Sequence, residues 1–353
     1  MTALSNADIA EILARLAKDA SGIRQKALKR AARSAFLWPE EAATVAASGR
    51  SLTELQSVGP FIAREIERRI SEPPARRPLR DPLRRDFLTL AEARAVLTRD
   101  PEWSGKVRGD VHMHTTWSDG SGSVADMAEA GRALDYSYIG IADHSKGLKI
   151  AGGIDERQVA KQAAEIQQVN SSNGDHPVTV LHGLEVNLSP AGEADMDPKC
   201  LARLDLVIGS FHSALRVKED QTERYLAALR NPHVHILGHP RGRVYNFRLG
   251  LSADWPRVFA EATRLDKALE IDCYPDRQDL NVELLKLARS AGARVSLGTD
   301  AHHPWQLEFI EFGLAAALKA RIPAERIVNF MPLPELRQWV QTLRRAAEFT
   351  PPE

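Results

Sequence analysis

Cysteine, net charge and long apolar runs are what this sequence lacks. Its 353 residues include only two cysteines, Cys200 and Cys273, too few for a disulfide framework or a cysteine-ligated zinc cluster. No apolar run reaches the roughly 18 residues that a transmembrane helix needs, and no signal peptide or lipidation signal is recognisable. These absences predict a cytoplasmic protein without a membrane anchor.

The formal net charge is zero, so no overall field draws the chain to nucleic acid. The charge is nevertheless unevenly distributed, because residues 1–100 hold 18 Lys and Arg against 13 Asp and Glu. Hydrophobic residues make up 43% of the chain and charged residues 27%, as in ordinary globular proteins. The length accommodates one large α/β domain and a smaller one, and any contact with DNA is expected in the basic N-terminal part.

The first 72 residues show the spacing of helices rather than strands. Apolar residues recur at helical intervals over 5–35, with Asn6 as a candidate N-cap, and again over 51–70 around a Val-Gly-Pro turn. The second stretch is typical of a helix-hairpin-helix, in which free N–H groups at a helix start face a phosphate. Its candidate DNA-binding residues are Ser57, Gly59, Arg64 and Arg68. Because Pro60 removes one N–H donor, an ordinary packed hairpin remains the alternative.

Beyond residue 72 the pattern changes twice. Residues 73–85 combine prolines with five arginines, which predicts an extended, solvated linker, and residues 90–97 predict a short helix. From residue 107 strands and helices alternate. Strands are expected near 107–112, 138–142, 179–185, 206–210, 234–238, 268–272 and 294–299, and helices at 123–134, 156–169, 222–230, 255–264 and 281–291. Seven β/α units predict a barrel of parallel strands, with its chemistry at the C-terminal strand ends.

Histidines and carboxylates recur at those strand ends. On the first strand His112 and His114 point to one side, because alternate residues of a strand share a face. Later ends add Asp119, His144, Glu185, His212, His239, Asp300 and His302. Six of the eleven histidines therefore converge with three carboxylates, which predicts a metal site. Nine ligands suggest three ions, and imidazole with carboxylate but no thiolate suits Zn²⁺, Mn²⁺ or Fe²⁺. The remaining histidines, 176, 182, 233, 235 and 303, are expected to be structural.

Clustered divalent ions favour phosphoester hydrolysis. They lower the pKa of water and neutralise the oxygens of a phosphate during in-line attack. Basic residues follow two of the ligands, namely Lys146 after His144, and Arg241 and Arg243 after His239. These three are candidate catalytic residues that neutralise phosphate charge, with surface ion pairing as the alternative.

The motifs, in order, resemble one known family. They are His112-x-His114 with Asp119, Asp143-His144-Ser145-Lys146-Gly147, Gly183-x-Glu185, Ser210-x-His212-Ser213, Gly238-His239-Pro240-x-Gly242-Arg243 and Thr299-Asp300-Ala301-His302. Together, over about residues 105–345, they resemble the PHP (polymerase and histidinol phosphatase) family, most nearly the C-terminal PHP domain of bacterial X-family DNA polymerases. The resemblance implies a distorted (β/α)7 barrel with a trinuclear metal site.

The resemblance also implies which residues share an ion. One ion would be held by His112, His114, Glu185 and Asp300, and a second by His212 and His239 with Glu185 bridging. The third would be held by Asp119, His144 and His302. All nine positions carry a suitable ligand.

The N-terminal region resembles the small helical lyase-type domain of the same polymerases, with two departures. Ser57 replaces the first glycine of the hairpin, and Glu65 stands where lyase-active relatives carry a Schiff-base lysine, so lyase activity is not expected. About 35 residues separate the hairpin from the barrel, too few for a polymerase palm. The predicted domains are therefore a helix-hairpin-helix domain over 1–72, a linker with a short helix over 73–104 and the barrel over 105–349, without polymerase activity.

The sequence thus predicts a metal-dependent phosphoesterase, a hydrolase that acts on DNA in repair as a 3′–5′ exonuclease or a 3′-phosphatase. Two alternatives remain open: a small-molecule phosphatase of the histidinol-phosphatase type, and a non-catalytic DNA-binding repair accessory. No partner-helix seam is visible in the pattern, so a monomer is expected.

Overall fold

The N-terminal part of the chain is a small bundle of helices. The computed structural model describes residues 3–74, 76–172 and 177–348, so His176 lies outside the described residues. The first helices are α1 (Asn6–Leu16), α2 (Gly22–Ser34), α3 (Ala42–Ala47) and α4 (Pro60–Ser71), followed by α5 (Leu90–Leu97) and α6 (Pro101–Ser104). The apolar faces of α1 to α4 enclose a core of their own around Leu13, Trp38 and Ile66, whereas Leu97 of α5 and Trp103 of α6 belong to the core of the barrel. The separate core fits a boundary near residue 72, and the boundary at residue 105 stays a prediction.

Two local expectations in this bundle are wrong. Ser5, not Asn6, caps α1, because its hydroxyl accepts a hydrogen bond from the Asp8 N–H and the Asp8 carboxylate accepts from the Ser5 N–H. Asn6 instead joins α1 to α3 by accepting from the Ala42 N–H at 2.8 Å. The hairpin has a helix on only one side of its turn, because a single 3₁₀ turn precedes it.

The rest of the chain is a parallel barrel. Its strands are β1 (Gly109–Met113), β2 (Tyr138–Ile141), β3 (Thr179–Asn187), β4 (Leu206–Ser210), β5 (Ile236–Leu237), β6 (Ala268–Asp272) and β7 (Arg294–Gly298), hydrogen-bonded in this order. The helices are α7 (Val124–Ala133), α8 (Glu156–Ser171), α9 (Pro198–Leu201), α10 (Thr222–Arg230), α11 (Trp255–Arg264), α12 (Val282–Ala291), α13 (Ile310–Ala320) and α14 (Leu333–Glu348). The predicted alternation is confirmed.

The barrel closes between β1 and β7 by two different devices. At the C-terminal end the His114 N–H donates to the Ala301 carbonyl at 2.8 Å. Further down, the side chain of Asn329 accepts from the Leu297 N–H at 2.6 Å and donates to the Gly109 carbonyl at 2.8 Å. A side chain thus replaces part of the missing ladder, and the barrel is a distorted (β/α)7 barrel as expected.

The linker packs the helical bundle against the barrel. Arg84 was expected to be solvated but is buried, because its guanidinium pairs with the Glu11 carboxylate at 2.8 Å and donates to the Asn246 side chain at 2.7 Å. The Tyr245 ring lies 4.6 Å from the Phe36 ring and 5.2 Å from the Phe87 ring.

The part of the chain that the structure describes contains no helix with the length and apolar character of a membrane span.

Candidate metal centre

The centre begins with the last residues of β1. His112 and His114 are both fully buried, and their ring centroids lie 5.3 Å apart on one side of the strand. The alternation of side chains along the strand places both imidazoles inside the mouth of the barrel. The parallel strands bring their own C-terminal residues to the same mouth.

Glu185, near the end of β3, is the central carboxylate. It is fully buried, and imidazole nitrogens from four other segments surround its two oxygens. From Glu185 Oε2 the distances are 3.6 Å to His112 Nε2, 3.7 Å to His114 Nε2 and 2.6 Å to His144 Nδ1. From Glu185 Oε1 they are 2.8 Å to His239 Nε2 and 3.4 Å to His212 Nε2. A carboxylate among five imidazoles has the geometry of a bridging ligand.

Two more carboxylates complete the cluster. Asp119 Oδ1 lies 3.3 Å from His302 Nε2 and 3.6 Å from His144 Nε2. Asp300 Oδ1 lies 3.0 Å from His114 Nε2. The structure therefore brings all nine predicted ligands to one place. Their assignment to particular ions stays a proposal.

Several of these buried atoms have no hydrogen-bond partner in the described part of the chain. They include His112 Nε2, His144 Nδ1 and Glu185 Oε2; the last two lie 2.6 Å apart but do not meet in the geometry of a hydrogen bond. An unsatisfied buried polar atom is costly, so three that face one space indicate a ligand rather than a structural network. In each of three groups of residues, the donor atoms lie within 4.8 Å of one another. The groups are His114, Asp119, His144 and His302; His112, His114 and Glu185; and His144, Glu185 and His212. These residues fit several divalent ions.

The surroundings hold the carboxylates of the cluster in the anionic form that binds a cation. Burial raises the pKa of Glu185, but the surrounding histidines, His144 foremost, outweigh it and hold this pKa well below its usual value. Burial likewise raises the pKa of Asp300, and Arg277 and His114 outweigh it in the same way. Burial, helped by the positive charge of His144, lowers the pKa of His114 to about 3. Anionic carboxylates and neutral imidazoles are the forms that bind metal. Burial lowers the pKa of His112, His144 and His302, but the carboxylates of the cluster outweigh it and raise the pKa of all three, so a bound cation would displace protons from these rings.

Glu270, in β6, belongs to the centre although the sequence assigned no residue of that strand to it. It is fully buried; its Oε1 lies 2.6 Å from His112 Nδ1, and its Oε2 accepts from the His239 N–H at 2.6 Å. A carboxylate behind a ligating histidine fixes the ring and its tautomer. The available signal was an acidic residue between the apolar Leu269 and Ile271 of a buried strand.

Arg277, in the loop after β6, is the second residue that was missed. Its guanidinium lies 3.3 Å from Asp300 Oδ2 and 3.7 Å from Asp272 Oδ2. Burial lowers the pKa of Arg277, but the two carboxylates outweigh it and raise this pKa. A permanent cation therefore lies beside the ligand cluster, at a position that only the folded loop defines.

The three predicted basic residues have partners elsewhere. Arg243 is buried, donates to the carbonyls of Arg277 at 2.7 Å and Asp86 at 2.8 Å, and lies 3.8 Å over the Phe87 ring. Arg241 donates to the Leu249 carbonyl at 2.8 Å. The Lys146 ammonium lies 2.6 Å from the Glu156 carboxylate. Their catalytic role stays a prediction, and these contacts favour a structural role for Arg243.

The four predicted DNA-binding residues lie around the turn before α4. Ser57 adopts φ 65°, the left-handed region that favours glycine, and accepts from the Ser34 hydroxyl at 2.9 Å. Gly59 is the N-cap of α4. Arg64 is exposed, whereas Arg68 pairs with Glu65 at 2.7 Å. Binding of DNA by this turn stays a prediction.

Histidines expected to be structural have ordinary partners. His235 Nδ1 accepts from the Val207 N–H at 3.0 Å at the start of β5, which is the end of the strand opposite the mouth. His182 Nε2 lies 3.1 Å from the Gln162 side-chain oxygen. The exposed His303 accepts from the Trp305 N–H at 3.4 Å.

Comparison with known proteins agrees with this geometry. Residues 110–272 match the family model of the PHP domain. The chain contains a PHP domain. A Bacillus subtilis protein named DNA polymerase/3′-5′ exonuclease PolX is 35% identical over 238 residues, which are 67% of this chain and 41% of that protein. The chain thus spans less than half of that relative.

Other similar proteins are named as phosphatases. A probable phosphatase of Caldicellulosiruptor bescii is 29% identical over 62% of this chain and 90% of its own length. A solved histidinol phosphate phosphatase of Lactococcus lactis, complexed with zinc, L-histidinol and phosphate, is 14% identical, with a TM-score of 0.38 over 69% of this chain and 94% of that one. The match to the PHP domain and the ligand clusters together support a metal-dependent phosphoesterase, a hydrolase that uses divalent ions.

Proposed function

We propose that the PHP domain hydrolyses phosphoesters at the 3′ ends of DNA, as a 3′–5′ exonuclease or a 3′-phosphatase in repair. The observation that carries this proposal is the position of the basic helical bundle. It lies against loops that leave the same mouth of the barrel that holds the metal ligands. A strand bound by the bundle would therefore pass close to the ions.

The contacts of the bundle with these loops are extensive. Tyr245, in the loop after β5, packs between Phe36 and Phe87. The Asn246 N–H in the same loop donates to the Leu83 carbonyl at 2.8 Å. Because His239 lies at the start of this loop, the bundle and a proposed metal ligand are tied to one segment of chain.

We assign three ions to the nine ligands. Glu185 would bridge two of them, and Asp119, His144 and His302 would hold the third. When bound, divalent ions supply a nucleophile from water near neutral pH and neutralise phosphate oxygens. The chain itself would hold Glu185 and Asp300 in their anionic forms. It would also place Arg277 where negative charge develops on the phosphate.

One named relative supports the proposal that the substrate is DNA. The Bacillus relative carries an exonuclease in its name, and this chain resembles it over 238 residues. Polymerase activity is not part of the proposal, because between α4 and β1 the described residues hold one 3₁₀ turn and two short helices, and no strand from which a palm could be built.

A small-molecule phosphatase is the second candidate. Relatives named probable phosphatases, from Caldicellulosiruptor bescii and Escherichia coli, are covered over 90% of their length by only 62–63% of this chain. A PHP domain with little beside it therefore occurs among phosphatases. A non-catalytic DNA-binding accessory is the third candidate, and a monomeric, cytoplasmic protein is proposed in each case.

A paired assay tests the proposal. Purified protein, stripped with EDTA and reloaded with Mn²⁺ or Zn²⁺, is offered a 3′-labelled oligonucleotide, a 3′-phosphorylated oligonucleotide and histidinol phosphate. We expect metal-dependent release of nucleotides or phosphate from DNA, lost in His114→Ala and retained in the control His233→Ala. Turnover of histidinol phosphate alone would favour the second candidate, and equal rates with and without metal would contradict both. DNA binding that survives His114→Ala without any turnover would favour the accessory.

A further inference from the structure

We propose that a cavity beside the metal centre is a subsite for the nucleobase next to the scissile phosphate. The cavity has a volume of about 280 Å³ and lies between the helical bundle and the mouth of the barrel. Its aromatic wall is formed by Tyr274, Trp305 and Phe309, and its opposite side by Arg33 and Gln56 of the bundle. The inference rests on the proposed function, because it names the part of a DNA end that this cavity would take.

The aromatic wall presents a fixed, exposed face. Trp305 is 52% exposed, an unusual state for the largest side chain. Its ring is nevertheless held edge-on against the buried Phe309 ring at 5.1 Å, and Phe309 contacts the Tyr274 ring in the same manner at 5.3 Å. Such a supported aromatic face is what a nucleobase stacks upon, and stacking accepts any base.

The wall is connected to the metal centre by backbone and hydrogen bonds. Trp305 follows the proposed ligand His302 by three residues, a length of chain that spans at most about 10 Å. The Gln306 side chain accepts from the His302 N–H at 2.7 Å and donates to the Tyr274 hydroxyl at 3.3 Å. A phosphate at the ions would therefore place its neighbouring base at this wall.

The remaining sides of the cavity mix apolar residues with a few polar and charged ones; Phe36, Leu37, Tyr245 and Pro275 also line it. Arg33 and Gln56 are exposed on the bundle, and Asp276 is half-buried on the barrel side. Burial raises the pKa of Asp276, and Arg277 and Arg33 act against this rise, so Arg33 lies close enough to Asp276 to interact with it. A mostly apolar, aromatic cavity with a few hydrogen-bonding groups fits a planar ring with polar edges, and Arg33 adds a charge that complements the DNA backbone.

A binding measurement tests the subsite without turnover. Trp305 is the one exposed tryptophan of the six in the chain, so its fluorescence reports on the wall. Metal-free protein in EDTA is titrated with a short single-stranded oligonucleotide and with an abasic strand of the same charge. We expect saturable quenching by the first and none by the second. In Trp305→Ala we expect the quenching to vanish and the affinity for the oligonucleotide, followed by anisotropy, to fall about tenfold.

A kinetic measurement separates stacking from catalysis. With metal-loaded protein and a 3′-phosphorylated oligonucleotide, Trp305→Ala should raise KM about tenfold and leave kcat within twofold. The same variant should leave hydrolysis of a strand whose 3′-terminal residue is abasic unchanged, and Trp305→Phe should retain most of the affinity. Phe247→Ala is the matched control, because Phe247 is 58% exposed in the loop after β5 and is not among the residues that line the cavity.

The outcomes distinguish the subsite from the function on which it rests. Hydrolysis of DNA with Trp305→Ala indistinguishable from wild type in KM and in binding overturns the subsite and leaves the function standing. Base-dependent quenching of Trp305 without hydrolysis of DNA supports the subsite and contradicts the 3′-end function. Equal quenching by the abasic strand, or quenching by an aromatic peptide but not by DNA, also overturns the subsite.

Discussion

The barrel mouth and the helical bundle both carry many charged and polar groups, but the two regions differ in whether these groups have partners within the protein. In the bundle and linker, arginines are paired: Arg68 with Glu65 at 2.7 Å, and Arg84 with Glu11 at 2.8 Å. At the mouth, His112 Nε2 is buried without a hydrogen-bond partner, and Glu185 Oε2 lies against His144 Nδ1 without the geometry of a hydrogen bond. Since folding penalises unpaired buried polar atoms, the difference shows that the mouth is organised around an external charge.

The largest effect is expected from the central carboxylate of the mouth. Glu185→Ala should lower kcat/KM about a thousandfold or more, because it removes the proposed bridge between two ions. Elemental analysis of the purified variant should show fewer bound ions than wild type. Glu65→Ala, which removes a paired carboxylate of the bundle, should change neither quantity by more than about twofold. Retained metal and activity in Glu185→Ala would contradict the comparison.

The next effect separates two arginines near the mouth of the barrel, the half-buried Arg277 and the buried Arg243. Arg277→Met should lower kcat about a hundredfold without loss of metal, since it removes a cation beside Asp300. Arg243→Met should instead lower the free energy of unfolding by about 2 kcal/mol, because it leaves two partly buried carbonyls without a donor. Kinetics and urea unfolding of both variants are the measurements. The opposite pattern would restore the catalytic role predicted for Arg243.

A smaller loss is expected behind the ligands. Glu270→Gln keeps the shape of the side chain but not the charge that orients His112, so metal affinity should fall about 10- to 100-fold. Competition with a chelator measures the affinity. The control is Glu261→Gln, a paired carboxylate on α11 that lies away from the mouth. Equal affinities for the two variants would show that Glu270 only supports packing.

The smallest effect is expected from the bundle. Arg64→Glu with Arg68→Glu should weaken DNA binding about tenfold and reduce its salt dependence by the equivalent of about two phosphate contacts. Hydrolysis of a small phosphate ester should not change. Arg157→Glu, an exposed arginine of α8, is the control for charge alone. An unaltered salt slope would mean that the hairpin turn is only structural.

The sequence predicted the parts of this molecule that follow from local periodicity. The seven strands lie within about two residues of their expected ends, and the nine candidate ligands meet, because parallel strands in a barrel deliver their C-terminal residues to one mouth. The first expected hairpin helix became a single 3₁₀ turn, which propensity alone does not exclude.

What could not be predicted depends on contacts between distant segments. Glu270 looked like any acidic residue in a strand until its distance to His112, 158 positions away, was known. Arg277 lies beside the ligands, where Arg243 was expected, because the loop after β6 turns Arg277 toward Asp300, whereas Arg243 joins the barrel to the linker. Arg84 is buried by Glu11, a partner 73 positions earlier, whereas the composition of the linker predicted that Arg84 would be solvated.

The most direct test of the account is an anomalous diffraction map of crystals grown with ample Mn²⁺. We expect anomalous peaks among the nine side chains, with the carboxylate of Glu185 lying between two of them. A map without peaks, with these imidazoles and carboxylates turned away from one another, would contradict it.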